Sequence, residues 1–454
     1  MLEKGLNGIR NLAKNAKHYS QREIIGQISK IIPRISDRNL ILLTYLAERL
    51  AINKDTKAAI RAVRAAWQKK HPSVQLAKDL ARGKLSKSCL DKLIRNLMIN
   101  AFLIGNDKRQ EYAKKEGMQP PFLIVISPSM RCNLKCIGCY AAEYSKDDDL
   151  SIEIVDRVLD EVKEMGIYFI TVSGGEPFLR KEHLDIFEKH NDMYFLVYTN
   201  GTLIDRKMAE KLAELGNVAP GISVEGFEKE TDQRRGEGTF KKVMQAMDNL
   251  KNAGVLFGFS ATPTRYNSEV LVSDEFIDFY LKKGCSFGWY FQYIPIGRSP
   301  NTSLMATPKQ RIKLGKKVDK IRRTKPIFLG DFWNDGPYVG GCMAGGRAYL
   351  HITCKGDIEP CVFTHFAVDN IKEKTLREAL SSPFFKAIRR KLKTIKDYRA
   401  PCTIIDHPEI LREACKAGNA YPTHGGAETI IKDEKITEHL DKYSRKIQEL
   451  IKKD

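Results

Sequence analysis

Apolar residues recur along this chain in two rhythms, and the change between them falls near residue 120. Before it the spacing is helical. Leu40, Leu43, Ala47 and Leu50 follow a capping Ser36-Asp37, and Leu90, Leu93, Leu97, Ala101 and Ile104 form a stripe expected to stop at Gly105. A weaker stripe, Leu2, Leu6, Ile9 and Ala13, is flanked by Lys4, Arg10, Lys14 and Lys17. After "EGMQPPF" (116–122), short apolar runs at 122–127, 167–172, 194–198, 220–224, 255–261 and 287–294 read as strands. Most are separated by helix-length segments, among them 151–165, 206–215 and 241–253. Repeated strand-helix units predict an α/β fold with a parallel sheet and crossover helices, curved into a barrel or part of one. Six strands leave it short of the eight of a full barrel.

Charge sharpens the division at residue 120. Residues 1–120 carry 25 Lys/Arg against 10 Asp/Glu, a net +15, leaving +5 of the chain's +20 for the other 334 residues. A solvated helical face accounts for such a segment, and so does contact with an anionic membrane surface. No apolar run reaches the roughly 18 residues needed to span a bilayer, and no signal-peptide pattern is present, so a cytoplasmic location is expected. In a reducing compartment ten cysteines point to metal or cluster ligation rather than disulfides.

Three of those cysteines, Cys132, Cys136 and Cys139, stand together in "SMRCNLKCIGCYAAEY", directly after the first predicted strand. Active-site groups of such folds lie at the carboxyl ends of the strands. Three thiolates on one loop can hold three irons of a [4Fe-4S] cube and leave the fourth open to a ligand other than protein. Structural zinc takes four ligands, usually in CxxC pairs, and here only Cys136 and Cys139 form one.

The CxxxCxxC spacing followed by the aromatic Tyr140 resembles the radical S-adenosylmethionine (SAM) enzymes, and further motifs of that family follow at later strand ends over about residues 120–300. "SGGEP" (173–177) resembles the segment that holds the methionine end of the cofactor, which implies roles for Gly174, Gly175, Glu176 and Pro177. "TNGT" contributes Asn200. "ISVEG" places Ser223 and Glu225 where the family binds ribose, although many members carry Asp where this chain has Glu225. Arg235, before Gly236, resembles the arginine that pairs with the cofactor carboxylate, and Asn267 is a further polar contact; Gln292 and Arg298 face either substrate or cofactor, or sit on the rim. The resemblance implies a partial (β/α)6 barrel over 120–325, after a basic helical region at 1–119. It also implies reductive cleavage of SAM to methionine and a 5'-deoxyadenosyl radical that takes hydrogen from an unactivated carbon. A low-potential donor such as ferredoxin or flavodoxin would supply the electron.

Past the barrel, Cys342, thirteen residues, Gly356, four residues and Cys361 resemble the opening of the family's SPASM and shorter twitch extensions, which hold auxiliary iron-sulfur clusters. The dense second half of the SPASM pattern is missing, since only Cys402 and Cys415 follow. One auxiliary [4Fe-4S] cluster is therefore expected in residues 326–454, on Cys342, Cys361, Cys402 and Cys415. Cys354, in the apolar run "AYLHITC", is the alternate or simply a core residue. Cys89 and Cys285 are expected to be inert, and His351, His365, His407 and His424 structural.

The substrate carries no motif. A lipid or isoprenoid chain fits the basic N-terminal quarter resting on anionic headgroups. A peptide or protein maturase is the alternative, since the SPASM-like extension resembles those of maturases. A non-catalytic electron carrier or nucleic-acid binder is a different class, against which the SAM motifs stand. Basic and aromatic residues do not interleave in residues 1–120 as nucleic-acid binding would favour.

Overall fold

The computed structural model describes residues 54–453 together with Asp37, Ile41, Thr44, Tyr45, Glu48 and Arg49. The stripe residues Leu2, Leu6, Ile9, Ala13, Leu40, Leu43, Ala47 and Leu50 lie outside the described residues. All six expected strands form: β1 (Leu123–Ile126), β2 (Phe169–Val172), β3 (Tyr194–Thr199), β4 (Val218–Val224), β5 (Gly258–Ala261) and β6 (Phe287–Tyr290). A seventh, β7 (Phe328–Asp331), lies beyond the boundary expected at 325 and pairs with β6, Trp289 opposite Gly330. These seven run parallel in sequence order. On the other side of β1 the C-terminal extension adds β8 (His351–Ile352), parallel to β1, and β9 (Ile358–Glu359), antiparallel to β8.

Three of the crossover helices, Ile152–Glu164, Arg206–Leu215 and Asp274–Lys283, start on side-chain caps: Ser151 accepts from Ile154 N, Asp205 from Met208 N and Ser273 from Phe276 N. The first of them, Ile152–Glu164, buries Val155, Val158, Leu159 and Val162, a stripe one face wide. On the other side of the sheet, Val125, Thr171, Leu196, Ser223, Ser260 and Trp289 line a single cavity although they come from six strands. In a flat sheet the first and last of these would be about 24 Å apart, five strand spacings. The sheet therefore curls around the cavity, and the ring of Tyr198 on β3 comes within 5.3 Å of Phe291 just after β6.

Upstream of β1, a helical rod runs without a break from Lys87 to Glu116, its middle turns Leu93–Ile104 widened to π geometry. The expected stop at Gly105 is thus corrected: Gly105 is helical, and the rod ends at Gly117, whose φ of 68° is left-handed. Gly105 is small for a different reason. A Cβ there would stand 2.6 Å from the Gly166 carbonyl oxygen, where the rod crosses the sheet domain. Asn96 donates to the carbonyls of Asn191 and Met193, Asn100 to that of Asp192, and Arg109 to that of Gly166. Burial lowers the Arg109 pKa to about 10. Part of the basic quarter is in this way committed to packing rather than to a surface.

Candidate functional site

The loop after β1 carries Cys132, Cys136 and Cys139 to the wall of a cavity of about 210 Å³. Cys132 is exposed and the other two half-buried. The neighbouring loop after β2 presses against it: Gly175 N donates to Ser129 O at 3.0 Å and Glu176 N to Arg131 O at 2.8 Å. Approach this close requires glycine, because a Cβ on Gly174 or Gly175 would collide with the carbonyl oxygen of Ser129 or Arg131, and Gly174 has φ +114°. Replacing Gly175 with alanine should therefore cost about 1–3 kcal/mol of stability and displace the cysteine loop. Denaturant unfolding and SAM binding, measured side by side, check both effects; unchanged values for both would remove the argument.

Arg298 braces the same loop from the far side, its backbone N–H on Cys139 O at 3.1 Å and its Nη1 on Cys136 O at 3.2 Å. Tyr140 is fixed by a hydrogen bond of its hydroxyl with Ser173 Oγ, 2.8 Å, and by the edge of Phe363, 5.4 Å between centroids.

Tyr140, Gly174, Gly175, Asn200, Ser223 and Arg235 join the three cysteines on the cavity wall. Glu176, Pro177, Glu225 and Asn267 are not among its lining residues. Glu176 is buried, and its carboxylate accepts from Thr199 Oγ1, Asn200 N and Phe178 N; burial raises its pKa, and these donors oppose the rise. Glu225, 1% exposed, binds Arg234 Nη1 at 2.6 Å and Arg235 Nε at 2.9 Å through one oxygen. Arg235 in turn lies 4.0 Å from Cys136 Sγ. Glu225 thus aims two cations at the cavity from behind. Asn267 is spent on Thr264 and on the Glu225 and Thr262 carbonyls.

Sequence reasoning missed the aromatic half of the wall: Trp289, Phe291, Phe332, Tyr349 and Phe363. Trp289 and Phe291 are alternate positions of the sixth run, a signal that was available. The other three come from the C-terminal extension, and nothing local places them there. Gln292 also lies on the wall, buried, its Nε2 without a hydrogen-bond partner.

Cys342, Cys361 and Cys402 line a second, smaller cavity that shares Phe332, Met343 and Tyr349 with the first. Their thiols are pushed up to about 12, mostly by burial and in part by charged neighbours: Cys361 at Cys342, Cys402 at Cys361, and Asp406 then Cys342 at Cys402. Cys415 does not line this cavity; burial alone raises it, and it sits in the helix Pro408–Gly418. Cys354 is fully buried beside Met130, Ala141 and Tyr144. Cys89 and Cys285 are buried away from both cavities.

His351 lies between Ser127 Oγ and Glu359, and His365 contacts His424 at 2.7 Å; His407 meets Glu409. None of the four lines either cavity.

Among the described residues no three His, Cys, Asp or Glu side chains are placed to grip a single metal ion. Soft thiols spread around a cavity are instead the donor set of a polynuclear iron-sulfur group, and both cysteine sets fit one.

Residues 126–264 match the model of the radical SAM superfamily, and residues 342–442 match that of the SPASM iron-sulfur cluster-binding domain. The chain is 35% identical over 150 residues to the Fe-coproporphyrin III synthase of Methanosarcina barkeri, a match covering 32% of this chain and 38% of that one. It is 26% identical over 330 residues to the mycofactocin maturase MftC of Mycolicibacterium smegmatis, covering 68% and 81%. The crystal structure of Streptococcus suis SuiB bound to precursor peptide SuiA superposes with a TM-score of 0.54 at 21% identity, over 63% of this chain and 71% of that one. The chain belongs to the radical SAM superfamily and carries a SPASM domain. It is an enzyme whose cofactors are a [4Fe-4S] cluster and SAM, and its SPASM domain binds auxiliary iron-sulfur clusters. No helix among the described residues is long and apolar enough to cross a membrane.

Proposed function

We propose that this enzyme is a peptide maturase that uses radical SAM chemistry on a residue of a precursor peptide. The observation that carries this reading is the match to MftC, the higher in identity of two matches of similar length: 26% over 330 residues, against 24% over 336 residues for the AdoMet-dependent heme synthase of Methanosarcina barkeri, which makes a porphyrin the competing substrate. The relatives favour the peptide alternative over the lipid or isoprenoid chain expected from the basic N-terminal quarter. The cavity suits the task, since its wall is mostly apolar and aromatic with Ser260, Thr262 and Gln292 as polar points.

In this reading Cys132, Cys136 and Cys139 would hold a [4Fe-4S] cluster, which would supply the reducing electron for the cleavage of SAM. Tyr140, Gly174, Gly175, Asn200 and Ser223 shape the SAM site. Arg235, held by Glu225, neutralises negative charge beside Cys136, and Glu176 keeps Thr199 and Asn200 in place. The aromatic wall excludes water from the hydrogen-abstraction step. Such enzymes need a reductant, and a ferredoxin or flavodoxin fills that role.

The test is anaerobic reconstitution with SAM and a reductant, with precursor peptides, porphyrins and isoprenoid lipids offered in separate arms. A peptide should change mass and stimulate 5'-deoxyadenosine formation. A product in the porphyrin or lipid arm, with every peptide unchanged, would overturn the reading.

A further inference from the structure

We propose that Glu359 is a positioning residue for the radical SAM centre: from the C-terminal extension it holds both ends of the loop that carries Cys132, Cys136 and Cys139. The inference rests on the family assignment and is independent of the peptide reading.

The loop leaves β1 at Ser127 and closes at Tyr144. From Arg131 to Ile137 none of its residues is buried, so the loop has no core of its own along that stretch. Its ends are different: Ser127 is 0% exposed and Tyr144 2%. The Tyr144 hydroxyl donates to Glu359 Oε1 at 2.7 Å. Ser127 Oγ meets His351 Nε2 at 2.8 Å, and His351 Nδ1 meets Glu359 Oε2 at 2.6 Å. His351 and Glu359 stand opposite each other in the β8–β9 pair, and His351 is also in register with Val125 of β1. One carboxylate thus reaches both ends of the loop, one directly and the other through an imidazole. Thr423 Oγ1 adds a further donor on Oε1 at 2.6 Å. A carboxylate only accepts, so His351 gives it the Nδ1 proton and takes the Ser127 hydroxyl proton on Nε2.

Serine, histidine and carboxylate in this order form the hydrogen-bond chain of a hydrolase. Ser127 borders neither cavity, so no substrate reaches it, and the chain holds rather than attacks. Stability does not account for burying these groups, since well-packed apolar residues of similar volume often do as well. A saturated polar network instead admits one arrangement of its members, which is what a loop without its own core needs. A shift of either end carries Cys132, Cys136 and Cys139 with it relative to Gly174, Gly175 and Arg235, which border the same cavity.

The experiment uses the anaerobically reconstituted full chain. Tyr144→Phe and Thr423→Val each remove one donor from the same oxygen of Glu359, but only Tyr144 belongs to the loop. Tyr144→Phe also keeps the ring that packs on His365 and His424. It should raise the KM for SAM in 5'-deoxyadenosine formation about tenfold, with kcat changed less, and speed amide hydrogen exchange in a peptide spanning residues 129–144. Thr423→Val should leave both readouts at the parent's values. Ser127→Ala, which frees the other end of the loop, should repeat the effects of Tyr144→Phe. Equal effects of Tyr144→Phe and Thr423→Val would reduce Glu359 to a structural role and overturn the proposal. A parent-like KM and exchange rate in Ser127→Ala would overturn it as well, whether or not Tyr144→Phe folds.

Discussion

Replacing Cys136 with alanine is expected to lower 5'-deoxyadenosine production to the no-enzyme background. Cys136 stands on the cavity wall between Cys132 and Cys139, with the Arg235 guanidinium 4.0 Å from its sulfur. Two remaining thiols cannot hold a cube while leaving one iron free for the cofactor. The loss should therefore be complete rather than graded, unlike the effect of removing a hydrogen bond. Cys89→Ala is the matching control: its thiol, buried on the inner face of the N-terminal rod, lies 3.9 Å from the Ala213 carbonyl and away from the cavity, and cleavage should be unaffected. Undiminished cleavage by anaerobically reconstituted Cys136→Ala would remove this loop from the mechanism.

The contrast between those two cysteines was visible in the sequence, because chemistry concentrated at one strand end is a local pattern. The six apolar runs were legible for the same reason: each is a short local run of apolar residues, and most are followed by a helix-length segment. β7 was not. Its second half is Gly330-Asp331 and its first residue, Phe328, is 56% exposed, so the run has little contrast with its surroundings. Gly105 misled because a glycine closing an apolar stripe usually ends a helix, and here its smallness serves a crossing with Gly166 that only tertiary structure defines.

In the candidate site, motif residues came together while their roles shifted. Glu176 and Glu225 are conspicuous in the sequence as polar groups after strands, which says nothing about whether a carboxylate faces the cavity or sits behind it. Both sit behind, one saturated by backbone and hydroxyl donors and the other by two arginines. The cysteine spacing likewise marks Cys402 and Cys415 as equals. Which face of a helix a thiol occupies depends on what that helix packs against, and the helix Pro383–Leu392 holds Cys415 away from the cavity. The Phe332, Tyr349 and Phe363 part of the wall was illegible because it depends on tertiary contacts, Phe332 with Phe291 and Tyr349, and Phe363 with Tyr140.

The second large effect concerns the support of the auxiliary site. Asp406→Ala should lower the unfolding free energy by about 3–5 kcal/mol, because breaking a buried ion pair leaves its partner's charge unpaired. Both Asp406 and Arg311 have fully buried side chains. The guanidinium binds both carboxylate oxygens, Nη2 to Oδ2 at 3.0 Å, and spends its other donors on Asn334 Oδ1 and the Trp333 carbonyl. The same carboxylate holds the backbone N–H of Cys402, while Ser444 from the C-terminal helix donates to the Asp406 carbonyl. One residue thus ties the helix Pro308–Thr324, the Cys402 turn and the helix Glu434–Lys452 together. Removing it should also lower the iron retained by the variant lacking Cys132, Cys136 and Cys139, since the turn that presents Cys402 loses its anchor. Combining Asp406→Ala with Arg311→Met, which withdraws the stranded charge, should recover part of the stability but not the iron. Urea unfolding and iron analysis of the three proteins separate the two consequences. An unfolding midpoint and iron content equal to the parent's in Asp406→Ala would show that the pair supports neither the fold nor the site.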